Sequence, residues 1–265
     1  MSKPGWSVER RPGAWVVCAR LITDVRGVGH AFSTRRDGTT GADFDVGPAD
    51  DASELHRHRR RALCRAAGLG DREPAVLEQE HGARVVAAQN APARGDALVA
   101  TAADEPRPVV SVRSADCAPL VVIAADGSAV AAIHAGWRGT AAGVVQSTLA
   151  ALERGGVGPP RVVAAIGPTI GPCCYEVGPE VAQAVAERTA VPTDRLLSRT
   201  RAGGISLDLP GALALQLVAA GVPMACVTVA PWCTACHPDL FFSHRRDGSK
   251  TGRMMAVVGW TAGVP

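Results

Sequence analysis

The sequence lacks the features that mark several protein classes. Its 28 basic and 25 acidic residues leave a formal charge of only +3, which excludes the single-sign field by which strongly basic nucleic-acid binders act. Eight cysteines in 265 residues are too sparse for a disulfide scaffold and read as thiols or metal ligands. Residues 1–20 are interrupted by Lys3, Pro4, Glu9, Arg10, Arg11 and Pro12, so they form no apolar secretory core, and a cytoplasmic address is expected. The one long uncharged stretch, residues 209–236, contains Pro210, Gly211, Gln216, Gly221, Pro223 and Pro231. These divide it into a helix near 212–220 and a strand near 224–230, each shorter than the ~20 residues a membrane span needs. No repeat, low-complexity linker or shift in composition marks a boundary, and residues 1–265 read as one domain.

What is present is a 47% apolar chain with many short runs of strand length, at 15–22, 84–88, 97–100, 108–112, 120–124, 129–133, 161–166, 224–230 and 255–258. Helical segments lie between some of them. Residues 53–67 open on Ser53 as a cap and close at Gly68, 140–154 close at Gly155, and 179–188 begin with Pro179 in the first turn, where its missing N–H costs nothing. The mixture predicts an α/β (mixed α+β) fold of packed sheets flanked by helices. Arg57, Arg59, Arg60, Arg61 and Arg65 in the first long helix point in different directions and have no aromatic partners for stacking, so a solvated face is expected rather than a nucleic-acid patch.

The most informative segment is Ser111 to Thr140. Asp126-Gly127 between two apolar runs predicts a type I′ hairpin turn. Facing residues then sum to 253, so that His134 faces Pro119. Cys117, two residues further along, shares a sheet face with His134 as a diagonal neighbour at roughly 7–8 Å. A thiol and an imidazole converge at the open end of the hairpin. The next residues, Ala135-Gly136-Trp137-Arg138-Gly139, lead into a helix whose N-terminus, with Arg138, would favour a phosphate or carboxylate. The plainer alternative keeps Cys117 and His134 as satisfied core residues and Gly136 and Gly139 as turn formers. In Gln79-Glu80-His81-Gly82, His81 would complete His₂Cys, three protein ligands with an open fourth position, as in catalytic zinc sites.

Other motifs are incomplete. Cys233-Thr234-Ala235-Cys236-His237 has the spacing of haem attachment but no export signal accompanies it. A zinc ribbon would need a second C-x-x-C, and the remaining pair, Cys173-Cys174, is adjacent. Gly248-Ser249-Lys250-Thr251 lacks the glycine before lysine of a phosphate-binding loop. The zinc-deaminase signature is absent, because His134 is followed by Ala-Gly.

Several blocks together resemble the bacterial laccase-domain family, also called YfiH-like or "polyphenol oxidase" proteins. They are Phe32-Ser33-Thr34-Arg35, Gln79-Glu80-His81-Gly82, Ser114-Ala115-Asp116-Cys117-Ala118-Pro119, His134-Ala135-Gly136-Trp137-Arg138-Gly139, residues 166–178, Phe241-Phe242-Ser243-His244-Arg245-Arg246-Asp247 and Thr251-Gly252-Arg253. The resemblance implies an αββα-like arrangement and a zinc site of His81, Cys117 and His134. It also implies phosphorolysis of adenosine, inosine, guanosine and methylthioadenosine, with adenosine deamination alongside. Glu80, Ser114 and His58 depart from the usual pattern.

On this reading the small-molecule partners are purine nucleosides and phosphate, with no nucleic acid and no membrane. Arg138, the Gly139 helix start and Arg35 would hold phosphate, zinc would act as a Lewis acid beside Cys117, and Asp116 or Glu176 would shuttle protons. Three other readings stand beside it. Copper-dependent phenol oxidation shares the His₂Cys ligand set, but seven histidines less two leave too few for a laccase trinuclear cluster. Cys117 with His134 as base would make a hydrolase editing peptidoglycan precursors. A metal-binding interaction module would need no turnover.

Overall fold

The computed structural model describes residues 2–48, 53–189, 193–199 and 204–262. Two six-stranded sheets share a core. Sheet I is antiparallel and runs Ser2–Lys3, Trp6–Arg11, Ala14–Ala19, Val28–Ser33, Met254–Trp260, Val110–Ser114. Sheet II runs Val227–Val229, Val162–Ile166, Ala118–Ala124, Ala129–Ala135, Ala97–Thr101, Val85–Ala87, with parallel pairing at both edges.

Period-two alternation explains the layering. In the strand Ala118–Ala124, Val121 and Ile123 enter the core between the sheets, together with Val17, Phe32, Ala256 and Val258 of sheet I. Leu120 and Val122 face the opposite way, against Val145, Leu149, Leu213 and Leu217 of the helices Val144–Arg154 and Leu209–Ala219. On the far side, Val16, Ala31, Met255 and Val257 of sheet I pack on Ala62, Leu63 and Ala66 of the helix Glu54–Ala66. Every residue of Ala118–Ala124 and Ala129–Ala135 is buried, as a sheet covered on both faces requires. The αββα arrangement is the one implied by the resemblance.

Several elements differ from expectation. The run 15–22 is strand only to Ala19, and Arg20–Thr23 is a helical turn. The strand at 108–112 lies at Val110–Ser114, and 224–230 contains a 3₁₀ turn before Val227–Val229. The helix expected at 140–154 is two helices, Trp137–Ala142 and Val144–Arg154, broken where Gly143 takes φ 85°. The strands Trp6–Arg11 and Val28–Ser33 have no counterpart among the expected runs. Arg60 is buried and paired with Glu73 at 3.0 Å, so the basic helix face is not wholly solvated. Among the described residues no helix is long and apolar enough to cross a membrane.

The hairpin register is the expected one, with Pro119 facing His134, but the turn is not type I′. Gly127 has φ 73°, whereas the positive-φ non-glycine residues are His81 and Asp116, so Asp126 does not share it. The Gly127 N–H closes the turn on the Ala124 carbonyl at 2.9 Å. Asp126 Oδ1 accepts from the Ser128 N–H at 3.0 Å and its hydroxyl at 2.6 Å. A four-residue loop with the same centre preserves the register.

Sheet I contains a titratable group whose role is structural. His30 is buried and its Nε2 accepts the Ala19 N–H at 2.9 Å; burial first, and the Arg11 charge second, push its pKa down to about 4. The folded value lies below the ordinary ~6.5, so this stabilisation is complete above that pH and is lost as pH falls towards 4. The expected loss is about 3 kcal/mol. Urea midpoints at about pH 7 and about pH 4.5 for wild type and His30→Gln test it. The variant, whose amide can still accept the Ala19 N–H, should lose less stability over that interval; equal losses refute the assignment.

Candidate functional site

The site lies where the chain passes from one sheet to the other. Val110–Ser114 ends in sheet I, Ala115-Asp116-Cys117 crosses, and Ala118–Ala124 begins in sheet II. Asp116 makes this step at φ 95°, a conformation that costs a non-glycine residue of order 1–3 kcal/mol unless its surroundings impose it. They do. Its carbonyl accepts from Ile170 N at 3.0 Å and Thr169 Oγ1 at 2.6 Å. Its carboxylate accepts from Thr234 Oγ1 at 2.5 Å, Ser243 Oγ at 3.1 Å and Arg245 N at 2.7 Å. The following residue, Cys117, is thereby fixed.

His134 comes from the strand Ala129–Ala135, and His81 from the loop after Leu77–Glu78, at φ 60°. The two rings meet edge to face, with centroids 4.8 Å apart. The ligand atoms of His81, Cys117 and His134 all lie within 4.8 Å of one another. Gly136 is required beside them, because a Cβ there would stand 2.9 Å from Cys117 Sγ and 3.3 Å from His81 Cδ2. At Gly139 a Cβ would meet the Gly82 carbonyl at 2.9 Å. These glycines admit close approach and do more than shape a turn.

Asp96 organises the cluster and was not anticipated. Its side chain is fully buried at the start of the strand Ala97–Thr101. It accepts from His134 Nδ1 at 2.8 Å, His81 N at 3.0 Å and Gly82 N at 2.7 Å, while its own carbonyl accepts His134 N at 2.7 Å. One carboxylate thus orients both histidines, and by engaging Nδ1 of His134 it leaves Nε2 for the cluster. Burial would raise the Asp96 pKa, but the His134 and Gly82 hydrogen bonds outweigh it and hold the group lowered. The only sequence signal is position: an acid before the strand that pairs with the His134 strand.

Burial disfavours charge on Cys117 and His134, yet each stabilises charge on the other. The His134 charge and hydrogen bonds from both imidazoles bring the Cys117 thiol down to about 6. The Cys117 charge and the Asp96 hydrogen bond raise His134. The trio fits a metal ion. Zn–N near 2.0 Å and Zn–S near 2.3 Å imply ligand separations of about 3.3–3.5 Å around a tetrahedron, compatible with the 4.8 Å limit, and the imidazole–carboxylate contact is the usual outer support of a ligating histidine.

The trio opens on a cavity of about 560 Å³, within the range of small-molecule sites. Gln79, Arg113, Ser114, Ile170, Tyr175, Leu209, His244, Arg245 and Arg253 complete its wall with Pro48, Ala115 and Asp116. Four expected residues are not on it. Arg35 is held by Asp43 at 2.7 Å and the Pro238 carbonyl at 3.1 Å, and lies over Phe242. Arg138 is exposed and stacks on Trp137, Gly139 is buried against Gly82, and Glu176 is exposed. His58 is likewise exposed, and Glu80 pairs with Arg94 at 3.6 Å. The helix start at Trp137 belongs to a six-residue segment, too short to supply the anion site expected from the glycine-rich run.

Known proteins resemble this chain over the same elements. YlmD of Geobacillus stearothermophilus, named a purine nucleoside phosphorylase, is 41% identical over 165 residues, 60% of each chain. Its crystal structure superposes with a TM-score of 0.82, covering 97% of this chain and 98% of that one. A purine nucleoside phosphorylase of Deinococcus radiodurans is 38% identical over 237 residues, 88% of this chain and 89% of its own. Adenosine deaminase RL5, from an unknown prokaryotic organism, is 34% identical over 204 residues, 77% of this chain and 74% of its own. The family model described as multi-copper polyphenol oxidoreductase laccase matches residues 29–261, and the chain belongs to that family.

Proposed function

We propose that this protein is a zinc-dependent purine nucleoside phosphorylase with an accompanying adenosine deaminase activity. The observation that carries the reading is the His81, Cys117 and His134 trio opening on a cavity with both an apolar, aromatic wall and several cationic side chains. His81, Cys117 and His134 would hold the zinc ion, which when bound supplies Lewis acidity to an oxygen of substrate or water.

The chain's own residues divide the remaining work. Tyr175, Ile170 and Leu209 offer the flat, apolar surface a purine needs, and the Arg245 guanidinium lies 5.3 Å from the Tyr175 ring centre. Arg245 and Arg253, in place of Arg35 and Arg138, would hold phosphate along with His244. In phosphorolysis a phosphate oxygen bonds to C1′ as the C1′–N9 bond breaks, and the leaving purine gains a proton at nitrogen. His244 is the imidazole on the wall suited to carry that proton. In deamination water supplies the oxygen that replaces the C6 amino group, and ammonia leaves. Asp116 is better suited to positioning than to proton transfer, because its carboxylate oxygens are buried and already engaged by three donors of the chain.

The ligand inventory disfavours phenol oxidation. Among the described residues only one group of three or more metal-binding side chains contains histidine, whereas a trinuclear copper cluster is built from histidines. Incubation of purified protein with inosine and phosphate should yield hypoxanthine and ribose 1-phosphate, and adenosine should release ammonia. Absence of both products sinks the proposal, and stoichiometric copper with an intense blue thiolate band would favour oxidation instead.

A further inference from the structure

A second cluster of sulfur atoms lies outside this trio. The strands Val162–Ile166 and Val227–Val229 are parallel neighbours, with Ile166 opposite Val229, so the loops that follow them leave the sheet side by side. A further bridge joins Thr169 to Cys233. Cys173 and Cys174 on one loop and Cys233 and Cys236 on the other thereby meet, with all four Sγ atoms within 4.8 Å of one another. Adjacent cysteines supply half of the set, so it forms without a second C-x-x-C.

We propose that Cys173, Cys174, Cys233 and Cys236 form a closed tetrathiolate site for a structural zinc ion, separate from the cavity. Cys173 and Cys236 are 3.5 Å apart at sulfur, and Cys174 and Cys236 are 3.3 Å apart. A disulfide requires about 2.05 Å, whereas the edge of a tetrahedron with Zn–S of 2.3 Å is about 3.8 Å. The cysteines are free thiols. Four thiolates complete the coordination of zinc and leave no open position, the hallmark of a structural site. An iron–sulfur cluster would spread its four thiolates over two or more irons and so place some of them further apart.

Backbone and side-chain donors surround the two loops. The Gly171 N–H donates to Cys233 Sγ at 3.2 Å, and the Cys236 N–H donates to the Cys233 carbonyl at 3.2 Å. Arg246 brings its guanidinium to the same loop, donating to the Thr234 carbonyl at 3.0 Å and the Ala235 carbonyl at 3.2 Å. The clip also has a target. Thr234, between the two cysteines, is fully buried and donates to Asp116, while Thr169 on the other loop donates to the Asp116 carbonyl. Zinc would lock together the two loops that hold the residue next to Cys117.

Metal analysis of protein prepared without chelator tests this. The doubly substituted Cys233→Ser, Cys236→Ser chain should hold one zinc fewer per chain than wild type, and His81→Ala, His134→Ala should keep that zinc. Loading the histidine variant with cobalt should give the absorption of a tetrahedral tetrathiolate centre. In folded wild type, the four cysteines should resist alkylation until chelator is added. Equal zinc in wild type and the cysteine variant, iron in place of zinc, a disulfide among the four, or free alkylation of metal-replete protein would each overturn the proposal. The cobalt spectrum and wild-type alkylation leave these cysteines intact, so the test survives if the cysteine variant does not fold. Failure of the nucleoside assay would leave these readings unaffected.

Discussion

Asp96→Asn is expected to weaken metal binding about 10–100-fold, the usual cost of removing the outer partner of a ligating histidine, and to destabilise the fold as well. Asp96 Oδ1 accepts from the His134 ring and the His81 N–H, and Oδ2 from the Gly82 and Glu80 N–H groups. An amide has one oxygen to offer and must turn its NH₂ towards a donor. One N–H or the imidazole is then left buried and unsatisfied, at about 1–3 kcal/mol, and the charge that opposes desolvation of His134 is gone. The expected total is about 3–5 kcal/mol. Competition with a chromophoric chelator reads the first effect and denaturant midpoints the second. Unchanged metal affinity with lowered stability would confine Asp96 to a folding role; no change in either would refute its place as the hub of the site.

Gly136→Ala tests the geometry without removing any ligand. A methyl group placed 2.9 Å from Cys117 Sγ and 3.3 Å from His81 Cδ2 must displace one of them, and the thiol is hemmed in by both imidazoles. A misplacement on the order of 1 Å costs about 10²-fold in rate, so nucleoside turnover should fall by that factor while the chain remains folded. Far-ultraviolet circular dichroism and turnover, measured together, check this. Near-normal turnover would mean that the helix start yields instead of the cluster.

How much of this could be read from sequence depended on burial and on distance along the chain. The strands of sheet II are apolar at nearly every position because both faces are covered, and they stand out as continuous runs. Trp6–Arg11 carries Glu9, Arg10 and Arg11, and Val28–Ser33 carries Gly29 and His30, so neither has a strand pattern until its partners are known. Cys117 and His134 were legible because one turn fixes their register. A wrong turn type did no harm, since the centre of the loop was right. His81 could be added only by ligand counting and motif, and Asp96 not at all, because its partners come from two segments far apart in sequence. The expected phosphate residues lie off the cavity wall for a related reason. Proximity in sequence to His134 placed Arg138 near the site, but the helix carries its side chain outwards.

The two positive-φ residues have a consequence for engineering. Neither His81 nor Asp116 suits the backbone conformation it occupies as well as glycine would. Ranking substitutions by stability alone would favour glycine at 81, relaxing the loop and erasing a ligand in one step. The conformational cost is retained at the points where the chain delivers His81 and Cys117 to each other, so thermostability and catalytic competence should trade off most sharply there.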